Sequence, residues 1–127
     1  MELYIGGYAQ GKLTYVLKKT GIPPERVYDP VASVPDCAET GAAVINHFHI
    51  LVKALLKEGK SPEDRVREIL AHNPGVIVIS DEVGNGIVPT DAGEREYRER
   101  LGRILCGLAE KADRVERIVC GIGQKIK

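Results

Sequence analysis

The chain has no surplus of either charge. Its 127 residues carry 18 Lys and Arg against 18 Asp and Glu. A general nucleic-acid binder usually shows a clear basic excess, so that class is not expected, although one local basic pocket is compatible with the balance. Cysteine is scarce as well. Cys37, Cys106 and Cys120 are odd in number, far apart and without a CxxC spacing. That argues against a disulfide framework or a zinc site and favours buried free thiols in a reducing compartment. No apolar run approaches the roughly 20 residues that span a bilayer. Leu3 to Gly7 already reads as strand and turn, so no signal peptide is expected before it and the expected location is cytoplasmic. Internal repeats, linkers and low-complexity segments are missing too. What remains is an ordinary globular balance, 43% hydrophobic and 28% charged, in a length that fits one domain over 1–127.

Within that domain, Glu2 to Ile5 reads as a short strand running into Gly6-Gly7, and Gly11 to Lys19 as a helix stopped by Gly21 and Pro23-Pro24. Arg26 to Tyr28 is a second short strand, and Asp29 to Thr40 reads as loop. Gly41 to Glu58 repeats apolar residues at helical spacing through Val44, Phe48, Leu51, Val52 and Leu55. Ser61-Pro62 starts another helix that runs to about Ala71. Val76 to Ser80 is a β-branched run of the kind found in buried parallel strands. Asp91 to Ala112 is a helix with a charged outer face, and Arg117 to Cys120 a last strand closed by Gly121 and Gly123. Strands alternating with helices predict an α/β domain with a small, mostly parallel sheet. Ligands of such sheets bind at the carboxyl ends of the strands.

Gly6-Gly7-Tyr8-Ala9-Gln10-Gly11-Lys12 fits G-x-x-x-x-G-K, between a strand and a helix. Glycines let backbone N–H groups curl around phosphate oxygens without a Cβ in the way, and the helix start adds its positive dipole end. Lys12 would reach the outer phosphates as a point charge. The nucleotide-binding candidates are therefore Gly6 through Lys12, together with Leu13 and Thr14. The pattern normally ends in Ser or Thr, whose hydroxyl binds Mg²⁺. Here that position is Leu13, and Thr14, about 100° further round the helix, does not take its place. A plain glycine turn with an exposed lysine is the other reading of this stretch.

The run Val78-Ile79-Ser80-Asp81-Glu82-Val83-Gly84-Asn85-Gly86-Ile87-Val88-Pro89, the tail Gly121-Ile122-Gly123-Gln124-Lys125-Ile126-Lys127 and the Gly-Gly-x-x-x-Gly-Lys start resemble the cobinamide kinase/cobinamide-phosphate guanylyltransferases. The resemblance covers about residues 1–20 and 76–127. It implies a P-loop NTPase-like three-layer fold. It implies phosphoryl transfer from GTP or ATP, with Mg²⁺, to the aminopropanol hydroxyl of adenosylcobinamide, followed by GMP transfer through a guanylylated histidine. It also implies a homo-oligomer, in the family a trimer. Position makes Glu82 a candidate catalytic carboxylate, and Asp81 and Glu82 candidate Mg²⁺ ligands, because both stand just past a buried strand opposite the phosphate loop. A loop-capping role is the other reading of the pair.

Family members are longer in the middle, where the nucleophilic histidine lies. Two registers are open. One lays Ala42 to His49 on that histidine's helix, with Phe48 at the histidine position. The other lays Val44-Ile45-Asn46 on the strand that normally ends in an acidic residue, and His49 to Leu56 on the helix beyond. Of the two histidines, His49 is the better candidate to carry GMP because it follows the apolar Phe48. On a helix His47 and His49 would point some 200° apart and could not share a ligand. One at the core edge and one solvated is the plainer alternative. His72 reads as a helix C-terminal cap. The acid–base alternation from Arg95 to Arg103 reads as a solvated face, and Lys125 and Lys127 as a solvated tail. Together these residues predict a nucleotide-dependent kinase and/or guanylyltransferase acting on a corrinoid, or else a descendant that binds nucleotide but has lost one or both activities.

Overall fold

The computed structural model describes residues 1–31, 39–82 and 91–127. Six strands form one sheet: β1 (Glu2–Gly6), β2 (Val27–Tyr28), β3 (Val44–Ile45), β4 (Ile77–Asp81), β5 (Arg114–Val119) and β6 (Ile122–Lys125). Their order is β2-β3-β4-β1-β5-β6. Every neighbouring pair is parallel except β5–β6, so the expected α/β, mostly parallel architecture is borne out. The helices are α1 (Lys12–Thr20), α2 (Phe48–Lys57), α3 (Pro62–His72) and α4 (Ala92–Lys111).

The sheet is covered on both faces, which makes three layers. On one side Tyr4, Val44, Ile77, Ile79 and Ile118 pack against Val16 of α1. On the other, Leu3, Ile45, Val78 and Val115 meet Phe48, Val52, Ile69, Leu101 and Leu108 of the remaining helices. β4 sits between β3 and β1 and buries Ile77 through Ser80, which explains its unbroken apolar run. Helix limits follow local chemistry. Gly21 (φ 72°) closes α1 by donating its N–H to the Leu17 carbonyl. The Ser61 hydroxyl caps α3 at the Asp64 N–H, with Pro62 in its first turn. Asp91 caps α4 at the Glu94 N–H.

Three expectations need correction. The apolar stretch 41–58 is not one helix, because Val44–Ile45 pairs with both β2 and β4, and the helix begins only at Phe48. Gly121 does not close the last strand. Cys120 (φ 50°) and Gly121 (φ 74°) form the tight turn of a hairpin that returns as β6, the backbone that two-residue hairpin turns require. Cys106 and Cys120 are exposed rather than buried thiols; Cys37 lies outside the described residues.

Smaller details also differ. Lys127 is not merely solvated, since its ammonium donates to the Ala109 and Glu110 carbonyls at the end of α4. Arg100 leaves the α4 surface to reach both oxygens of Glu63 on α3, at 3.0 and 2.8 Å. His72 Nδ1 donates to the Glu68 carbonyl at 2.9 Å in the last turn of α3, in keeping with a capping position.

Candidate functional site

Parallel pairing brings the carboxyl ends of β1, β2, β3 and β4 to one edge. Gly6, Asp29, Asn46 and Asp81 stand there, each at or one residue past a strand end. The glycine loop leaves β1 at this edge. Ala9 (φ 55°) and Gly11 (φ 77°) turn it back into α1. Gln10 pins the loop to the β5–β6 turn, accepting the Cys120 N–H on its side-chain oxygen (2.7 Å) and the Gly121 N–H on its backbone oxygen (2.8 Å). Gly11 precedes α1 without offering a side-chain cap. The first N–H groups of a helix have no intrahelical acceptor, so the Lys12, Leu13 and Thr14 amides are donors at the mouth of the loop.

Lys12 is not the exposed lysine of a plain turn. It is only 8% exposed. Its ammonium donates to the Gly7 carbonyl at 2.7 Å and lies 2.6 Å from Asp81 Oδ1. Leu13 packs beside the α1-side core, so its substitution for a hydroxyl residue serves packing. Thr14 is exposed on the outer side of α1, and Tyr8 extends into solvent.

Asp81 and Glu82 diverge, as successive residues of an extended chain do. Asp81 turns to Lys12 and His49, whereas Glu82 lies 3.4 Å from Arg117 of β5. The Glu82 backbone still marks the loop, its N–H donating to the Gly6 carbonyl at 2.8 Å. Val83 to Pro89, the remainder of the glycine-containing run, lies outside the described residues. Among the described residues no cluster of three or more His, Cys, Asp or Glu side chains is arranged to hold a metal ion.

Both nitrogens of His49 face Asp81. Nδ1 accepts the Asp81 N–H at 3.2 Å, and Nε2 lies 3.4 Å from Asp81 Oδ2. An accepting Nδ1 places the proton on Nε2. Burial lowers the His49 pKa, against the opposing pull of Asp81. A depressed imidazole stabilises the fold fully above the unfolded value of about 6.5 and loses that contribution as pH falls below it. Urea denaturation should therefore show stability declining below about pH 6.5 in the wild type, and a His49→Gln variant should lack that component of the slope.

His47 is not on the helix. It precedes α2 with left-handed backbone (φ 50°, ψ 45°), and this turn brings the two imidazoles edge to face with centroids 5.8 Å apart. The expected 200° separation therefore fails. His47 Nδ1 lies 2.9 Å from both oxygens of Asp29, and Asn46 Nδ2 donates to Asp29 Oδ2 at 3.0 Å. Burial would raise the Asp29 pKa, but bonds from the Val31 N–H, His47 and Asn46 outweigh it and hold the carboxyl below its ordinary range. Sequence reasoning passed over Asp29. Its place one residue beyond a strand, at the ligand edge of a parallel sheet, was the available signal.

A three-layer parallel α/β sheet with a glycine loop and buried lysine between β1 and α1 defines the P-loop NTPase-like class. Residues 28–126 match the family model described as cobinamide kinase / cobinamide phosphate guanyltransferase, and the chain belongs to that family. The family places it in cobalamin biosynthesis. Among curated proteins none matches it. The matched span includes Asp29, Asn46, His47, His49, Asp81 and Glu82 but begins after the glycine loop, whose reading rests on motif and geometry. The observed β3 and α2 agree with the register that ends β3 at Asn46 and opens the next helix near His49. No described helix is long and apolar enough to cross a membrane.

Proposed function

We propose that the protein is a cytoplasmic kinase that binds GTP or ATP on the Gly6–Lys12 loop and transfers the terminal phosphoryl group to the hydroxyl of a cobinamide-type corrinoid. The observation that carries this reading is Lys12: a buried ammonium held inside a glycine loop, at an uncapped helix start, next to a strand-end carboxylate. A triphosphate fits that donor set. Incoming phosphate oxygens would draw Lys12 from the Gly7 carbonyl and take up the free amides of α1. Mg²⁺ bound with the nucleotide would neutralise phosphate charge, with Asp81 the better-placed ligand because Glu82 is turned to Arg117. Glu82 would join the metal or the acceptor hydroxyl only on leaving Arg117. His49 enters as the group that fixes Asp81; as a carrier of GMP it would first have to release that residue. A homo-oligomer, by family resemblance a trimer, belongs to the same proposal and is tested by light scattering.

Calorimetry tests the nucleotide site. The wild type should bind GTP or ATP, and Lys12→Ala should weaken binding about 10- to 100-fold, the scale of one charge-assisted contact. Unchanged affinity would place the phosphates elsewhere. A second reading, a binding subunit without guanylyl transfer, is favoured by the packed Leu13 and the engaged nitrogens of His49. Incubation with terminally labelled GTP or ATP and cobinamide separates the two. Label on the corrinoid would support the kinase reading, and its absence despite nucleotide binding would support the second reading.

A further inference from the structure

The Asp29–Asn46–His47 cluster stands outside the Gly6–Lys12 loop and holds an imidazole against a partly buried carboxylate. Asp29 is fixed from three directions. The Val31 N–H donates to Oδ1 at 2.9 Å, Asn46 donates to Oδ2 at 3.0 Å, and His47 Nδ1 lies 2.9 Å from both oxygens. A carboxylate on Nδ1 selects the tautomer with its proton there and leaves the Nε2 lone pair free. Nε2 of His47 meets no protein partner among the described residues. Exposure follows the same logic: the Asp29 side chain is 14% exposed and that of His47 is 39% exposed. His49 is the opposite case, buried with both nitrogens directed at Asp81. The left-handed backbone at His47 is unfavourable in a non-glycine residue, and the Asp29 contacts offset it.

Placement supplies the second argument. Asp29 and His47 follow β2 and β3 at the edge where Gly6 and Asp81 end β1 and β4. Contacts run without a gap from Lys12 to Asp81, from Asp81 to His49, and from the His49 ring to the His47 ring. The charged groups around His47 are Asp29 from the end of β2 and His49 from α2, with Asp81 and Lys12 behind His49.

We propose that His47, oriented by Asp29, is the general base that removes the proton of the acceptor hydroxyl during phosphoryl transfer. The inference rests on the kinase reading above. A bond forms between the hydroxyl oxygen and the terminal phosphorus. The bond from that phosphorus to the bridging oxygen breaks, and its electron pair leaves with the nucleoside diphosphate. The hydroxyl proton moves to His47 Nε2, and Asp29 stays ionised against the resulting imidazolium. Asp29 is a positioning residue in this step.

The test uses the full chain with ATP or GTP and cobinamide as acceptor, following kcat against pH alongside nucleotide titration by calorimetry. His47→Gln should lower kcat about 100-fold or more, the scale of general-base catalysis, while nucleotide affinity is retained and the acid limb of the profile disappears. Asp29→Asn should lower kcat with nucleotide affinity retained, because the imidazole loses the carboxylate that orients it. A merely structural role of His47 would leave the acid limb unchanged. The proposal is overturned if His47→Gln keeps the wild-type rate or the wild-type acid limb, or if the wild type binds nucleotide and transfers no phosphoryl group. Failure of the wild type to bind nucleotide would remove the kinase reading itself, and the base with it. Should His47→Gln not fold, nitrogen NMR of the wild type decides: a neutral His47 protonated on Nε2 overturns the assignment, and one protonated on Nδ1 supports it.

Discussion

Gly6→Ala should cost about 2–3 kcal/mol of stability, the scale of overpacking a closed core, and should abolish nucleotide binding in whatever fraction folds. Gly6 pairs with Ile118 of β5 in the middle of the sheet. A Cβ built on Gly6 would stand 2.5 Å from the Ile118 carbonyl oxygen and 3.4 Å from Lys12 Cδ. The first obstacle is backbone, and it moves only if the β1–β5 ladder opens. The second is the stem of the lysine that defines the site. Gly7→Ala is the control, since its Cβ would meet only Gln10 Cγ at 3.7 Å, an ordinary contact. Urea midpoints and nucleotide titration of both variants check the pair. Equal stability of Gly6→Ala and wild type would mean that β1 and β5 are not packed as described.

Gly6 also shows what was legible in the sequence. A glycine pair between an apolar strand and a helix, followed by Gly-Lys, reads as a phosphate loop without any tertiary information. The same is true of β4, whose β-branched run needs burial on both faces, and of α3 and α4, whose Ser61-Pro62 and Asp91 starts are local chemistry. The short elements were harder. β3 has only two residues, and Val44 stands at helical spacing from Phe48 and Leu51, so the periodicity ran straight through the break. Nothing in the residue type announces that His47 takes the left-handed conformation, because glycine is the usual marker and its absence suggests continuity. The hairpin turn misled for the same reason, with Cys120 rather than glycine or asparagine in its first central position.

Longer-range pairings could not be read at all. Asp29 meets His47 only because β2 and β3 lie side by side, whereas in the sequence they are 18 residues apart, Asp29 opening a stretch that reads as loop and His47 inside one that reads as helix. The divergence of Asp81 and Glu82 follows from strand alternation, but the choice between them needed the positions of Lys12 and Arg117. The candidate site is thus half local and half topological. The glycine loop is written in one stretch, whereas the acid–imidazole pairs depend on strand order.

Acid should destabilise the protein largely through Glu116, whose carboxylate stays ionised in the fold after most surface carboxylates have been protonated. This β5 residue is 2% exposed. It accepts bonds from the Tyr15 hydroxyl (2.5 Å), from Arg114 Nε (2.5 Å) and from Lys19. Burial alone would raise its pKa, but the bonds from Lys19, Tyr15 and Arg114 hold it down to about 2. A folded value below the unfolded one means that the stabilisation is complete above about pH 4.5 and is lost as pH falls from there toward 2. The shift corresponds to about 3 kcal/mol, and the partial exposure of Lys19 and Arg114 brings the expectation to about 2–3 kcal/mol. Glu116→Gln should lose that amount at pH 7 and show a shallower acid slope than wild type, read by urea denaturation at several pH values. A Cβ on Gly123 would run into Tyr15 and stand 2.7 Å from Glu116 Oε1, so the β6 glycine keeps the space in which this cluster forms. The cluster ties α1 to β5, and the turn after β5 is what Gln10 of the glycine loop grips. Nucleotide affinity should therefore weaken in Glu116→Gln as well, although Glu116 touches no part of the loop. Full affinity in a destabilised Glu116→Gln would show that the loop is held by Gln10 and Lys12 alone.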